Sequence, residues 1–445
     1  MDVFWYTLHQ ACNYTRDKNM THYGLICPAS TGHLNTMLPL GKELQQRGHR
    51  VTLFSFLDAE ARTLAAGLEY CAIAEAEYPV GIQTEALAKL GQLSGSAALK
   101  YTVELLRNSA ATMLREAPSA IKNAGVEALL IDQVSGEGSA IADVLGLPYI
   151  TVCSAVVLNR EDSVPPFMTN WDYNPAWWAT LRNKVGYKLL DRIGKPITEV
   201  IEEYRQNNNL PAYFDPNKRY SSLAQISQQP AELEFPRQNL PQCFHFTGPY
   251  HSSVGRDVAD FPFEKLTGQT LIYASMGTVQ NRLLGVFHSI AEACKDLDAQ
   301  LVISLGGSAS PEVLQGLPGN PLVVGYAPQL ELLQKANLTI THAGMNTTLE
   351  CLTNGVPMIA IPVTNDQPGV ASRIAWSGCG EAIPVKTLTV SKLRTAIQKV
   401  LTNDSYKNNA LRLQAAIKTS GGVSRAIDIV EQTVATRKPV FRETK

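Results

Sequence analysis

The sequence lacks any run of eighteen apolar residues, so no segment reads as a membrane span. Neither sign of charge is in excess: 39 Lys and Arg face 40 Asp and Glu, which leaves no electrostatic footprint for nucleic acid or another polyanion. The eight cysteines, at 12, 27, 71, 153, 243, 294, 351 and 379, have no C-x-x-C spacing. Neither a zinc site nor a disulfide framework is indicated, and a reducing cytosol fits. Residues 1–19 have no basic n-region and no clean apolar h-region, so a secretory signal is not expected. They read as a weakly ordered tail, or as an over-long start before Met20, and Asn13-Tyr14-Thr15 as a chance sequon.

What the chain does have is length and alternation. At 445 residues it exceeds what one core usually holds, so two domains are expected. From Met20 the pattern runs strand (23–28), helix (33–46, closed by Gly48) and strand (51–56), with Leu34, Leu38, Gly41 and Leu44 on one apolar or small helix face. Further strands fit 68–74, 128–131 and 149–153, and helices fit 97–116 and the region before it. Such alternation implies a parallel sheet. In the order 3-2-1-4-5-6 the first and fourth strands are neighbours, and a ligand crevice opens between their carboxyl ends.

His33 follows the first strand and Asp132 ends the fourth, so two residues remote in sequence are predicted to meet. An imidazole held by a carboxylate is a base able to take the proton of a hydroxyl as it attacks carbon. The helix terminus lowers the pKa of such a ring and the carboxylate raises it. The alternative is that Asp132 caps the next helix and His33 merely lines a turn. Gly136-Glu137-Gly138 begins like a dinucleotide fingerprint, but Ile141 stands where a third small residue belongs, so NAD is not expected.

A proline-rich stretch from Pro211 to Pro249 reads as the end of the first domain and a linker. The alternation then restarts, with strands at 271–275, 301–305, 322–325, 338–341 and 358–361, and helices at 284–295, 330–335, 346–354, 391–401, 405–418 and 423–436. The resulting division is a tail over 1–19, a first domain over 20–240, a linker over 241–268, a second domain over 269–421, and a closing helix and tail over 422–445. In the second sheet the neighbour rule sets Ser275-Met276-Gly277-Thr278 opposite Thr341-His342-Ala343-Gly344. Gly277 permits close backbone approach and Thr278 carries a hydroxyl, which suits a diphosphate. The helix opening at Asn346 offers free N–H groups and a positive dipole end. Glu350, four residues on, shares that face and is placed to accept from ribose hydroxyls, while Tyr326 supplies a ring for a base. Taken singly, each feature also fits an ordinary strand-to-helix turn.

The ordered set resembles the donor-binding signature of family 1 glycosyltransferases, nucleotide-sugar enzymes with two facing Rossmann-like, doubly wound α/β domains (GT-B type) around a deep cleft. The family's aromatic-x-Pro-Gln, His-x-Gly-x-Asn-Ser/Thr-x-x-Glu, Gly-Val-Pro and Asp-Gln are met by Tyr326-Ala327-Pro328-Gln329, His342 to Glu350, Gly355-Val356-Pro357 and Asp366-Gln367. The resemblance implies donor contacts at Gly32, Ser275, Gly277, Thr278, Tyr326, Ala327, Gln329, His342, Gly344, Asn346, Thr347, Glu350, Asp366 and Gln367. Among these, Asp366 and Gln367 occupy the family's sugar-hydroxyl positions, and the glutamine resembles glucose users. The family's base and helper positions are filled by His33 and Asp132, and its last helix crosses back to the first domain.

Stretches outside the donor site, including Leu158-Asn159-Arg160-Glu161, Leu223-Ala224-Gln225-Ile226-Ser227-Gln228 and Phe235-Pro236-Arg237, further resemble bacterial zeaxanthin glucosyltransferases, which act on carotenoid hydroxyls. The implied chemistry is inverting transfer of a hexose from a UDP-sugar to a hydroxyl of an apolar small molecule. Glu350 favours a ribonucleotide such as UDP over a dTDP donor, and Tyr326, where plant relatives carry tryptophan, leaves the base preference open. Asp296-Leu297-Asp298 imitates a metal-binding D-x-D but lies at a helix end, away from any strand's carboxyl end. No metal and no cofactor beyond the UDP-sugar co-substrate is expected.

Trp171, Trp177 and Trp178 fall within eight residues, beside Pro165-Pro166, Phe167 and Tyr173. That composition suits an apolar acceptor channel, peripheral contact with a membrane, or a packed excursion over the first domain. A nucleotide-sugar epimerase, a nicotinamide dehydrogenase and a non-catalytic binding protein are the competing readings.

Overall fold

Apolar runs such as Val51–Phe54 and Ala128–Ile131 are covered on both faces only inside a parallel sheet flanked by helices, and two such sheets form. The computed structural model describes residues 20–90, 93, 95–252, 260–277, 284–307 and 309–442. Thr278, the tail over 1–19 and part of the expected linker lie outside them.

The first sheet comprises β1 (His22–Ile26), β2 (Arg50–Ser55), β3 (Glu69–Ala72), β4 (Ala128–Asp132), β5 (Tyr149–Cys153), β6 (Gln225–Ser227) and β7 (Phe244–Phe246). Its order is β3-β2-β1-β4-β5-β6-β7. The second comprises β8 (Thr270–Ser275), β9 (Ala299–Ser304), β10 (Leu322–Val324), β11 (Leu338–Thr341), β12 (Met358–Ala360) and β13 (Gly380–Ala382), in the order β10-β9-β8-β11-β12-β13. All pairings are parallel. Ile26 of β1 lies opposite Ile131 of β4, so the loop after β1 and the end of β4 open on one edge. Ser275 of β8 lies opposite Thr341 of β11, which sets the two glycine loops side by side.

The helix Thr31–Gln46 buries Leu34, Leu38, Gly41 and Leu44 as its spacing predicts. In the helix after β4, Gly138 sits where a Cβ would come within 2.6 Å of Ile131 Cγ2, so close helix-to-strand packing requires this glycine.

Five elements differ from expectation. β6 and β7 lie inside the proline-rich stretch, so the first sheet extends past residue 240 and the linker reading cuts off its last strand. The prolines fall outside the three-residue strands, where no ladder N–H is lost. A 31-residue helix, Trp177–Asn207, runs through Gly186, Gly194 and Pro196, residues that lower helix propensity and mask its pattern. The helix Gln367–Trp376 and β13 complete the second domain.

The last helix, Gly422–Thr436, belongs to the first core: Ala426, Ile427 and Val430 pack among its residues, and Arg47 reaches Asp428 at 2.6 Å and Glu431 at 2.9 Å. Beyond it, Val440 N–H donates to Leu223 O at 2.9 Å. The two places where the chain passes between domains touch, since Gly422 N–H donates to Thr247 O at 2.6 Å. Among the described residues no helix is long and apolar enough to cross a membrane.

Candidate active site

His33 is the third residue of the helix that follows β1, and Asp132 is the last residue of β4. The topology brings them together: His33 Nδ1 lies 2.7 Å from Asp132 Oδ2 and 3.0 Å from Ser154 Oγ. Asp132 is fully buried, and its other oxygen accepts from Val134 N–H at 3.1 Å. The His33 side chain remains 23% exposed. With Nδ1–H directed at the carboxylate, Nε2 carries the lone pair available to a substrate.

Burial acts to lower the His33 pKa, but the charge and hydrogen bond of Asp132, with the charge of Asp366, outweigh it and raise the pKa above the ordinary histidine value. The base form is therefore the high-pH form. We expect kcat/KM for transfer to rise with pH through a pKa above about 6.5. In Asp132→Asn the rise should move to lower pH along with a fall in rate; an unmoved limb would separate His33 from Asp132.

Across the cleft, His342 is held between Gly277 and Gly344, where an added Cβ would come within 2.6 Å and 2.5 Å of its ring. Gly277 also has φ +75°, so glycine is required there twice over. Burial pushes the His342 pKa down to about 4, although one ring N–H donates to the buried Ser275 carbonyl. At neutral pH the ring is thus uncharged, and it gains a second N–H for a phosphate only by taking up a proton. Ala343, between His342 and Gly344, has φ +65°, and Asn365, before Asp366, has φ +57°. Two loops of the second domain therefore contain left-handed non-glycine residues, a conformation held by the surrounding structure.

Asn346 stands at the start of the helix Met345–Thr353 but reaches across the cleft. Its Nδ2 donates to Gly32 O at 2.7 Å, and its Oδ1 accepts from Gln228 Nε2 at 2.8 Å. Gln228 Nε2 also lies 2.5 Å from Ser154 O. Asn346 and Gly32, both expected on the donor, are thus partners in an interdomain contact beside the His33 ring.

Glu350 is buried, with Gln329 Nε2 2.5 Å from its Oε2 and His251 Nδ1 4.0 Å from its Oε1. Gln329 also reaches Thr347 Oγ1 at 3.3 Å and accepts from Tyr273 O–H at 3.0 Å. Tyr326 is half-buried near Gly307, and Ala327 belongs to the second core. Asp366 accepts from the Val156 backbone N–H of the opposite domain; burial raises its pKa, against that bond and the His33 charge. Gln367 braces its own loop, Oε1 accepting from Val363 N–H at 2.9 Å and Thr364 N–H at 3.1 Å.

Sequence reasoning missed Ser154 and Gln228, which sit one residue beyond β5 and β6 on the same carboxyl edge as Asp132; the strand-end rule that found Asp132 reaches Ser154 as well. It also missed the buried pair that joins the domains. Arg373 donates to Glu234 through Nε at 3.0 Å and through its second nitrogen at 2.6 Å. Arg237 and Gln229 donate to the same carboxylate at 3.1 Å and 2.7 Å. Burial acts to raise the Glu234 pKa, but the two arginines hold it at about 2. The exposed Asp296 pairs with Arg394 at 3.2 Å, and among the described residues no group of three or more His, Cys, Asp or Glu side chains is arranged to hold a metal ion.

Comparisons with known proteins agree with this fold. A zeaxanthin glucosyltransferase of Pantoea ananas is 32% identical over 424 residues, covering 95% of this chain and 98% of that protein. One from Pseudescherichia vulneris is 29% identical over 423 residues, covering 95% and 100%. Among solved structures, the glycotransferase of kitacinnamycin superposes with TM-score 0.72 at 23% identity, covering 93% of this chain and 99% of that one. The calicheamicin glycosyltransferase CalG4 superposes with TM-score 0.69 at 20% identity, covering 94% and 100%. The profile of the family described as UDP-glucoronosyl and UDP-glucosyl transferase matches residues 24–420, and the chain belongs to that family.

Proposed function

We propose that this glycosyltransferase moves glucose from UDP-glucose, with inversion, to a hydroxyl of an apolar small molecule, foremost a hydroxylated carotenoid such as zeaxanthin. The observation that supports it most is the His33 ring, fixed on Asp132 in one domain and within electrostatic reach of Asp366 in the other. A base on one side and a family sugar-binding position on the other bracket the place where an anomeric carbon would sit.

In the step we propose, the acceptor oxygen bonds to the anomeric carbon while the bond from that carbon to the UDP oxygen breaks. The hydroxyl proton passes to His33 Nε2, and UDP leaves with the bonding electrons on the opposite face. Protein groups stabilise the leaving charge: the N-terminus of the helix Met345–Thr353, His342 once protonated, and neighbouring hydroxyls. No metal takes part in this reading.

The carotenoid assignment leans on the names of the two relatives and on the aromatic segment over 165–178. Such an acceptor resides in lipid, so a cytoplasmic enzyme in peripheral contact with a membrane fits it. Incubation with UDP-glucose and a panel of hydroxylated carotenoids, sterols, macrolides and flavonoids, read by mass, tests the proposal. A hexose mass increment on zeaxanthin above the other acceptors is expected. Release of free UDP only when an alcohol is present is expected; interconversion of the sugar nucleotide itself, with no UDP released on adding an alcohol, would favour an epimerase instead.

A further inference from the structure

The helix Trp177–Asn207 leaves an apolar stripe uncovered. Trp177, Leu181, Val185 and Leu189 recur every four residues and are each more than half exposed, with Trp178 nearly so. Scattered exposed apolar side chains are ordinary, but a row along three turns of one helix is not. Cations flank the row. Leaving aside Arg182, which packs inward, the helix over 177–195 carries Lys184, Lys188, Arg192 and Lys195 against the single acid Asp191, which Arg160 engages. Lys184 and Lys195 make only exposed pairs, with Asp162 at 3.4 Å and Glu199 at 3.3 Å, and such pairs scarcely offset an attraction to other anions.

We propose that this face is a docking surface for an anionic lipid bilayer. A row of tryptophan and aliphatic side chains enters the headgroup and acyl boundary, while lysines and arginines at its sides meet lipid phosphates. The chain-wide charge balance gives no general attraction to anions, so the attraction is local to this helix.

The opposite face of the helix explains the placement. Gly186 lies where a Cβ would come within 2.9 Å of Pro166 and 3.0 Å of Trp171, and Arg182 stacks over Trp171 at 4.7 Å. Asn183 and Tyr187 donate to the carbonyls of Asp162 and Val164 at 3.0 Å and 3.1 Å. The segment so fixed includes Phe167, whose carbonyl would lie 2.3 Å from a Cβ on Gly369 of the second domain. One layer of chain therefore separates the exposed row from the interdomain contact, a short path for an acceptor leaving lipid. The surface follows from this geometry; its purpose, acceptor delivery, rests on the apolar acceptor proposed above.

Co-sedimentation of the full chain with phosphatidylglycerol–phosphatidylcholine vesicles tests it, with no donor or acceptor present. Binding to these vesicles, not to pure phosphatidylcholine, and its loss in raised salt are expected. Lys184→Glu with Lys188→Glu should weaken partitioning by about fivefold or more per residue, and Leu181→Ser with Val185→Ser by at least ~10-fold. Transfer to a detergent-dispersed alcohol should be unchanged in both variants. Absence of vesicle binding by the parent chain, or equal binding by the variants, overturns the proposal, as does loss of self-association in the variants without loss of vesicle binding. None of these outcomes depends on which acceptor is glycosylated, so the docking surface can fail while the transferase reading stands, and the reverse.

Discussion

Replacing His33 by alanine is expected to lower the turnover number for glycosyl transfer by ~10³-fold, near the middle of the range for loss of a positioned general base. Affinity for UDP, read by calorimetry, should stay unchanged, because all the groups expected on the donor except Gly32 belong to the second domain. The ring makes side-chain contacts with Asp132 and Ser154, both in the first domain, so the loss should fall on kcat. Added imidazole should restore part of the rate. Asp132→Asn should produce a smaller fall, since it keeps the shape of the pair but no longer stabilises the imidazolium. Ordinary turnover in His33→Ala would remove the base from the mechanism; a parallel collapse of UDP affinity would show the ring to be structural.

The second large effect is expected at the domain interface. Arg373→Met leaves the Glu234 carboxylate buried with Arg237 and Gln229 as its remaining donors, and removing one partner of a buried pair typically costs about 3–5 kcal/mol. Glu234→Leu with Arg373→Met should be milder than Arg373→Met alone, because Arg237 keeps its bonds to Asn159 O at 2.7 Å and Val157 O at 3.1 Å. The pH dependence has a definite sign. Glu234 is held at about 2, below its unfolded value, so its contribution to stability is present above roughly pH 4.5 and is lost as pH falls toward 2. Denaturation followed across that window should show the parent chain losing stability more steeply than the double variant. Equal slopes would mean the pair adds nothing.

The sheet order and the meeting of His33 with Asp132 were legible because they depend on local apolar runs and a topological rule. β1, β4, β8 and β11 end where their apolar runs end, and parallel neighbours place their carboxyl ends together. What was not legible depends on how the domains face one another. Nothing near Asn346 signals that its amide will meet Gly32 and Gln228, and Glu234 and Arg373 are separated by 139 residues. Gln329 over Glu350 is a choice among side-chain partners, which spacing does not encode. β6 and β7 escaped for another reason: three-residue strands between prolines carry too little periodicity to register.

The bond between Gly422 and Thr247 binds the outgoing and returning chain into one joint. The second domain is thus an insertion whose two ends meet at one joint on the first domain. Exchanging nucleotide-sugar specificity by grafting should therefore succeed as one cassette spanning roughly 250–420, leaving the terminal helix with its host; a graft carrying a foreign terminus would strip Ala426, Ile427 and Val430 from the core that receives them.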